Sequence, residues 1–218
     1  MRNAFDKELE LLKLELINMG SAIEQAIDCA ITALVQKNTQ MAMEAINSDN
    51  IIDDMERTIE RHCLRLLLKQ QPVARDLRMI STALKMITDM ERIGDHAADI
   101  SEITLRISQQ EYIKKLVHIP KMAEATKSML NDAVDAYVKN DIMLAEQVIR
   151  NDDIVDDLFI VVRNDLLDLI RQDANNGEQA TDLLMIAKYL ERIGDHAQNI
   201  AEWVVFSITG VHKDQKIM

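Results

Sequence analysis

The sequence contains few of the residues that make turns or fill β-sheets. Among its 218 residues there are five glycines and two prolines, and only 3% are aromatic. Turns between short strands rely on glycine and proline, and strands are enriched in aromatic side chains, so a strand-rich fold is excluded. The chain is instead rich in Leu, Ile, Met, Ala, Glu, Asp and Lys. These residues favour long helices, and the composition therefore predicts an all-α protein.

Positive charge and long apolar runs are also scarce. The formal net charge is -12 at pH 7, which repels nucleic-acid phosphates and anionic membrane surfaces. Residues 1–10 contain several charged side chains and lack the apolar centre of a signal peptide. No later apolar run reaches the length of a membrane span. We therefore expect a cytoplasmic protein that does not bind nucleic acid and does not insert directly into a membrane.

An internal repeat organises the chain. The heptapeptide Glu-Arg-Ile-Gly-Asp-His-Ala occurs at residues 91–97 and again, letter for letter, at residues 191–197. A weaker upstream match aligns Val35, Ala42, Ile46, Asp49, Asp53 and Asp54 with Val138, Ala145, Ile149, Asp152, Asp156 and Asp157. Such self-similarity indicates one structural unit written twice. We predict two tandem three-helix bundles related by a pseudo-twofold axis, the first in residues 1–112 and the second in residues 113–218.

Apolar residues at three- and four-residue spacing predict six helices. The predicted spans are 6–36, 39–69 and 73–109 in the first copy and 121–139, 142–172 and 178–209 in the second, joined by residues 111–120. Asn38 and Asp141 are predicted N-caps of the second helix in each copy. The stripe that includes Leu64, Leu67 and Leu68 is predicted to face the bundle core.

A row of acidic residues runs along the third helix of each copy. At 100° per residue, Glu91, Asp95, Asp99 and Glu102 fall within an arc of about 80°, so their carboxylates point the same way. The apolar residues of the same helix lie on the opposite side, which predicts that the acids face outward. The second copy repeats the row with Glu191, Asp195 and Glu202, whereas Asn199 replaces the third acid.

The acidic rows are predicted to bind metal ions rather than to form a plain solvated face. Acids spaced four apart repel each other by a few tenths of a kcal/mol, so a solvated face usually contains Lys or Arg on the same line. Gly94 and Gly194 each cost about 1 kcal/mol in a helix interior and would let another backbone or a ligand shell come close. Clustered carboxylates suit iron, manganese, magnesium or zinc without choosing among them.

The second helix of each copy offers further donors if it packs beside the third. Asp53 and Asp156 are the candidates, although Asp49, Asp54, Glu56 and Glu60 compete for this role in the first copy. His96 and His196 point about 100° away from the adjacent acids, so an interhelix hydrogen bond competes with metal ligation as their role.

Two other functions stay open beside that of a metal-containing regulatory adaptor. One is a metal-dependent enzyme that uses the acidic rows, and the other is a helical scaffold without metal. The enzyme is disfavoured because none of the five histidines lies three residues after a glutamate, as the di-iron bundles of ferritin type require. The five glycines are isolated, so no phosphate-binding loop is present.

The doubled Glu-Arg-Ile-Gly-Asp-His-Ala motif, placed alike in two three-helix units, resembles the PhoU family over essentially the whole chain. The resemblance implies bound metal at an acidic signature with four-residue spacing, with iron as the leading candidate before zinc, manganese and magnesium. The signature matches Glu91 with Asp95, Asp95 with Asp99, and Glu191 with Asp195, whereas Asn199 breaks its continuation. The second site is therefore expected to hold metal more weakly or with fewer ions.

The same resemblance implies the biological role. Proteins of this family are cytoplasmic homodimers that negatively regulate phosphate uptake and the phosphate-starvation response. They act between the ATPase of the phosphate ABC transporter and a sensor histidine kinase. We therefore expect a non-enzymatic regulator with these two partners, and this expectation rests on the resemblance alone.

Overall fold

Six long helices account for most of the residues that the structure describes. The structure, a computed structural model, describes residues 2–70, 72, 74–212 and 215–216. Its helices are α1 (Arg2–Gln36), α2 (Thr39–Gln70), α3 (Ala74–Ile107), α4 (His118–Lys139), α5 (Ile142–Gln172) and α6 (Gly177–Thr209). A 3₁₀ turn at Ala174–Asn176 precedes α6, and two short strands, β1 (Val211–His212) and β2 (Gln215–Lys216), pair after it. The all-α prediction is confirmed, with helix ends within a few residues of those expected.

The sharp connections between the first two helices of each copy follow from local chemistry. Asn38 accepts hydrogen bonds at its side-chain oxygen from the backbone N–H groups of Gln40 (3.1 Å) and Met41 (3.2 Å) at the start of α2. Asp141 accepts one from the N–H of Leu144 (3.1 Å) at the start of α5. Both predicted N-caps are therefore confirmed, and each satisfies backbone donors that the helix itself leaves unpaired.

The helices form two three-helix bundles that pack side by side. Helices α1, α2 and α3 contact one another and form the first bundle, and α4, α5 and α6 form the second bundle in the same way. The bundles meet mainly along α3 and α6, with a smaller contact between α1 and α4. One continuous apolar core runs through both. The division of the chain at residues 112 and 113 stays a prediction.

The predicted core stripe of α2 is partly wrong. Leu68 is 82% exposed and Leu64 is also exposed, whereas Leu67 is half-buried against the core. The side chains of α2 that enter the core at this level are Cys63 and Leu66. Leucines lie on both sides of this segment, so spacing alone did not identify the buried one.

The helices contain 22 to 35 residues, long enough to span a bilayer by length alone. Within the residues that the structure describes, no helix is apolar enough along its length to cross one.

Candidate metal centre

Four acids from α2 and α3 come together in the first bundle. We call Asp49, Asp53, Glu91 and Asp95 the first carboxylate cluster. Asp49, Asp53 and Asp95 each offer one ligand oxygen, and these three oxygens lie within 4.8 Å of one another. No other trio of acidic, histidine or cysteine side chains approaches as closely in the part of the chain that the structure describes. Two helices thus build the cluster, because α2 lies directly beside the acidic row of α3.

Gly94 explains why α2 and α3 approach so closely at this point. A Cβ atom placed on Gly94 would lie 3.0 Å from Cδ1 and 3.1 Å from Cγ2 of Ile52, which is buried on α2. A larger residue at this position would require Ile52, which lies between Asp49 and Asp53 on α2, to shift by a few tenths of an ångström. The sequence predicts the approach of another backbone or a ligand shell at this glycine, whereas the group that lies there is the Ile52 side chain of the neighbouring helix.

The acids of the first cluster disfavour one another's charge. Burial and the nearby carboxylates of Asp95, Asp53 and Asp99 raise the pKa of Asp49 above its ordinary value. Burial, and then the charge of Asp95, likewise raises the pKa of Glu91. Removal of water and accumulation of like charge both oppose ionisation. The cluster is therefore a place where a bound cation would be strongly favoured.

The second bundle brings the equivalent acids of α5 and α6 near one another, although less closely than in the first, and Asp156 and Asp195 are exposed. We call Asp152, Asp156, Glu191 and Asp195 the second carboxylate cluster. Asp152 is only 8% exposed, and burial followed by the charges of Asp195, Asp156 and Glu191 raises its pKa to about 6. A Cβ atom on Gly194 would lie 3.1 Å from Oδ1 of Asp152, so the glycine again permits the close approach.

Both clusters contain an oxygen that a cation would satisfy. Asp49 Oδ1 and Glu191 Oε2 are shielded from solvent and have no hydrogen-bond partner among the described residues. Buried polar atoms of this kind normally have a partner, because an unsatisfied one costs about 1–3 kcal/mol. Carboxylate oxygens are ligands that hard divalent cations prefer. The residues present therefore fit the metal that the family resemblance implies.

The histidines of the repeated motif lie at the interface between the bundles. His196 Nδ1 is 2.8 Å from Oδ1 of Asp89 on α3, and the rings of His96 and His196 are 5.6 Å apart between centroids. His96 Nδ1 is 3.3 Å from Oδ2 of Asp99, and burial lowers the pKa of His96. For His196 the structure favours the interhelix hydrogen bond over metal ligation.

The structure groups most of the predicted site residues. Asp53, Glu91 and Asp95 lie in the first cluster, and Asp156, Glu191 and Asp195 lie in the second. Asp99 is half-buried beside His96 at the edge of the first cluster. Asn199 is half-buried at the equivalent place on α6. The role of all eight predicted residues as metal ligands stays a prediction.

Two acids were not selected from the sequence, and one expectation about burial was partly wrong. Asp49 and Asp152 belong to the clusters, and their alignment in the repeat was the signal that could have singled them out. The acids of α3 were expected to face outward. Glu91 and Asp95 instead lie half-buried in the groove between α3 and α2, because the groove is narrow at Gly94.

Comparison with known proteins assigns the family. A family model described as the PhoU domain matches residues 16–104 and, a second time, residues 119–204. The chain belongs to the PhoU family. Over 214 residues this PhoU-family chain is 41% identical to the "Phosphate-specific transport system accessory protein PhoU homolog" of Clostridium acetobutylicum, with 98% of each chain covered. It is 32% identical over 206 residues to Escherichia coli "Phosphate-specific transport system accessory protein PhoU", covering 94% of this chain and 86% of that protein.

Solved structures of PhoU proteins share the fold. PhoU from Pseudomonas aeruginosa superposes with a TM-score of 0.90 at 31% identity, covering 95% of this chain and all of that one. The phosphate transport system regulatory protein PhoU from Streptococcus pneumoniae gives a TM-score of 0.87 at 28% identity, covering 95% of this chain and 98% of that one. The resemblance inferred from the repeated motif is confirmed.

Proposed function

We propose that this chain is a regulatory accessory protein of the phosphate-specific transport system, which represses phosphate uptake and the phosphate-starvation response when phosphate is plentiful. The observation that carries this proposal is its end-to-end similarity to proteins named as accessory or regulatory components of that system. Those names describe regulators rather than enzymes, which fits a non-enzymatic role for this chain.

The proposed mode of action is physical contact. In the cytoplasm, a homodimer of the chain bridges the ATPase of the phosphate ABC transporter and a sensor histidine kinase. Two similar bundles offer two similar docking surfaces, and dimerisation doubles them, so avidity supports binding even where each contact is weak. Apolar side chains are exposed on the outside of both bundles, among them Leu68 on α2 and Met143 on α5. Exposed apolar side chains on a helix face can bind a complementary apolar surface of a partner protein.

The proposed role of metal is to hold α2 against α3 and α5 against α6. Asp49, Asp53 and Asp95, with Glu91 and Asp99 beside them, would hold iron in the first bundle, and zinc, manganese or magnesium are the alternatives. Asp152, Asp156, Glu191 and Asp195 would do so in the second, with Asn199 beside them. A cation between paired helices neutralises carboxylates that otherwise repel, and it stabilises the native state because the unfolded chain has no such site.

A deletion strain tests the regulatory role. Loss of the chain should leave starvation genes active in high phosphate, and the wild-type chain supplied in trans should silence them. Leu68→Glu and Met143→Glu should weaken co-purification of the ATPase or kinase, whereas Leu68→Gln and Met143→Gln serve as milder matched controls. Circular dichroism establishes that all variants fold.

Two results would overturn the adaptor. One is normal repression in the deletion strain, or by folded variants that no longer bind either partner. The other is turnover of a phosphate compound by the purified protein that disappears with Glu91→Ala and Asp95→Ala, which would favour the metal-dependent enzyme.

A further inference from the structure

One lysine lies against the second carboxylate cluster. Lys188 is on α6, one turn before Glu191, and its ammonium contacts Oε1 of Glu191. The same ammonium lies 5.4 Å from the ring centroid of Phe159 on α5. Its partner carboxylate is well shielded, since the Glu191 side chain is only 14% exposed. The lysine therefore bridges the two helices that build the cluster.

The influence of this ammonium extends beyond Glu191. Burial raises the pKa of Asp156 and of Asp195, and in both cases the charge of Lys188 opposes that increase. One positive charge thus acts on three of the four acids in the second cluster. An ammonium is a compact point charge, so its position among carboxylates is comparable to that of a small cation.

The first cluster has a different neighbour at the equivalent position. Thr88 replaces Lys188 there, and its hydroxyl donates to the backbone carbonyl of Leu84 on its own helix (3.4 Å). Glu56 occupies the place of Phe159, so the first cluster gains an acid where the second has an apolar ring. Asp99 in place of Asn199 adds a further acid to the first bundle at this site.

Arginines beside the first cluster do not remove this difference. Arg92 pairs with Asp95 (2.8 Å) and with Glu91 (3.5 Å), whereas Arg192, at the same position of the second copy, forms no ion pair with Asp195 or Glu191 among the described residues. Arg57 pairs with Asp53 (3.1 Å) and with Asp54 (3.0 Å). The side chains of Arg57 and Arg92 are each 57% exposed, against 38% for Lys188, so water and salt screen the two arginines more than the lysine.

We infer that the Lys188 ammonium is the resident cation of the second carboxylate cluster and occupies the position that a metal ion would otherwise take. This inference rests on the proposed metal-binding role of the clusters. A metal ion that binds Glu191 through its unpartnered Oε2 would lie beside the ammonium on Oε1, so it must displace that ammonium or bear its repulsion, whereas Thr88 places no charge beside the first cluster. Residue 188 therefore lowers the metal affinity of the second cluster, and its counterpart Thr88 has no such effect on the first.

Single-cluster proteins make the difference measurable. Asp49→Asn with Asp53→Asn leaves only the second cluster, and Asp152→Asn with Asp156→Asn leaves only the first. Calorimetric titration with Mn²⁺, after EDTA treatment and dialysis, then reports one cluster at a time. Lys188→Met, which keeps the apolar stem, should strengthen Mn²⁺ binding to the second cluster by about tenfold or more, since a contacting unit charge is removed.

The reciprocal change and a measurement without metal complete the test. Thr88→Lys should weaken Mn²⁺ binding to the first cluster by a similar factor. In EDTA, Lys188→Met should lower the thermal midpoint of the otherwise wild-type chain more than Lys139→Met does. Lys139 is a matched control because it forms an exposed ion pair with Asp135 on α4 (2.6 Å), outside both clusters.

The outcomes separate this inference from the proposed function. Mn²⁺ affinities that neither substitution changes would overturn the inference, even if both clusters bind metal. If no protein binds Mn²⁺, the metal-binding part of the proposed function fails, and the midpoint in EDTA then decides the role of Lys188. A larger fall for Lys188→Met than for Lys139→Met supports a resident cation, and equal falls overturn it.

Discussion

The first carboxylate cluster is half-buried, and the repeat places Thr88 and a further acid, Glu56, beside it. In the second cluster Asp152 is almost fully buried, and Lys188 contacts Glu191. The helices, the paired glycines and the four acids are the same in both copies. The two copies differ in which cationic side chains neutralise the negative charge of the carboxylate cluster. The first pairs exposed arginines with Asp53 and Asp95 and leaves Asp49 Oδ1 without a partner, whereas the second places the less exposed Lys188 against Glu191.

Proton uptake should give the largest effect in metal-free protein. Asp152 has a pKa of about 6 in the folded chain, against about 4 for an aspartate in an unfolded one. Folding therefore takes up a proton between these values, and the free energy of unfolding should increase as the pH falls from about 7 to about 4. A shift of this size corresponds to about 3 kcal/mol.

Urea unfolding in EDTA across this pH range measures the effect. Asp152→Asn should abolish most of the increase. Asp49→Asn should abolish a smaller part of the increase in the free energy of unfolding. Burial and like charges raise the pKa of Asp49 as well, but this residue is only half-buried. With metal bound the trend should reverse, since protons compete with the ion for the carboxylates. Equal pH dependence for wild type and Asp152→Asn would contradict the burial argument.

Metal should stabilise the first bundle almost as strongly. At a metal concentration one hundred times the dissociation constant, a site filled only in the native state contributes about 2.7 kcal/mol. Glu91→Ala with Asp95→Ala should remove this contribution and lower the metal content. The matched pair Glu191→Ala with Asp195→Ala should remove less, because Lys188 already weakens metal binding there.

Elemental analysis and thermal unfolding with and without EDTA are the measurements. In EDTA the Glu91 and Asp95 double variant should be neutral or slightly more stable than wild type, since carboxylate repulsion is relieved. A midpoint that responds neither to EDTA nor to the double substitution would identify the first cluster as solvated surface.

Substitutions of the two motif glycines by alanine should change the free energy of unfolding by smaller amounts, and the two changes should differ. Gly94→Ala inserts a methyl group against two atoms of a buried isoleucine, Ile52, and overpacking of this kind costs about 1–3 kcal/mol. Replacing an interior helix glycine returns about 1 kcal/mol, so a net loss remains. Gly194→Ala should be closer to neutral, because its nearest obstacle is a carboxylate oxygen of Asp152 that can rotate away.

Gly177 provides the control for this comparison. A Cβ atom there meets nothing within 4 Å, so Gly177→Ala should be neutral or stabilising in chemical unfolding. If Gly94→Ala were as well tolerated as Gly177→Ala, the close packing of α2 on α3 would not depend on glycine.

The sequence predicted the fold more completely than the site. Helix ends followed from caps such as Asn38 and Asp141, because these act within a few residues of the chain. The acidic row followed from helical spacing for the same reason. Spacing cannot show which neighbouring helix lies beside that row, and so Asp49 and its counterpart Asp152 were not separated from the other acids of α2 and α5.

Burial was the other quantity that local pattern did not determine. Leu64 and Leu68 have the spacing of a core stripe, yet both are exposed. Glu91 and Asp95 look like surface acids, yet they lie half-buried. In each case the deciding factor is the packing of a second helix, which acts between residues distant in sequence. The effect of the Lys188 charge on the pKa of Asp156 also depends on helix packing, since it requires α5 and α6 to be adjacent.

The smallest effect should come from Arg57, and it tests whether any nearby cation can substitute for Lys188. Arg57 pairs with Asp53 as Lys188 pairs with Glu191, but the Arg57 side chain is 57% exposed. Exposed ion pairs contribute about 0.2–1 kcal/mol, and at about 1 M salt the Debye length falls to about 3 Å. Arg57→Gln should therefore change the free energy of unfolding in EDTA only slightly at low salt and not measurably at high salt. Lys188→Met should retain part of its loss at high salt, because Glu191 is largely buried. A loss for Arg57→Gln as large and as salt-resistant as that of Lys188→Met would mean that both clusters carry an internal cation, and the difference in metal affinity between the bundles would then have to come from Asp99 and Asn199.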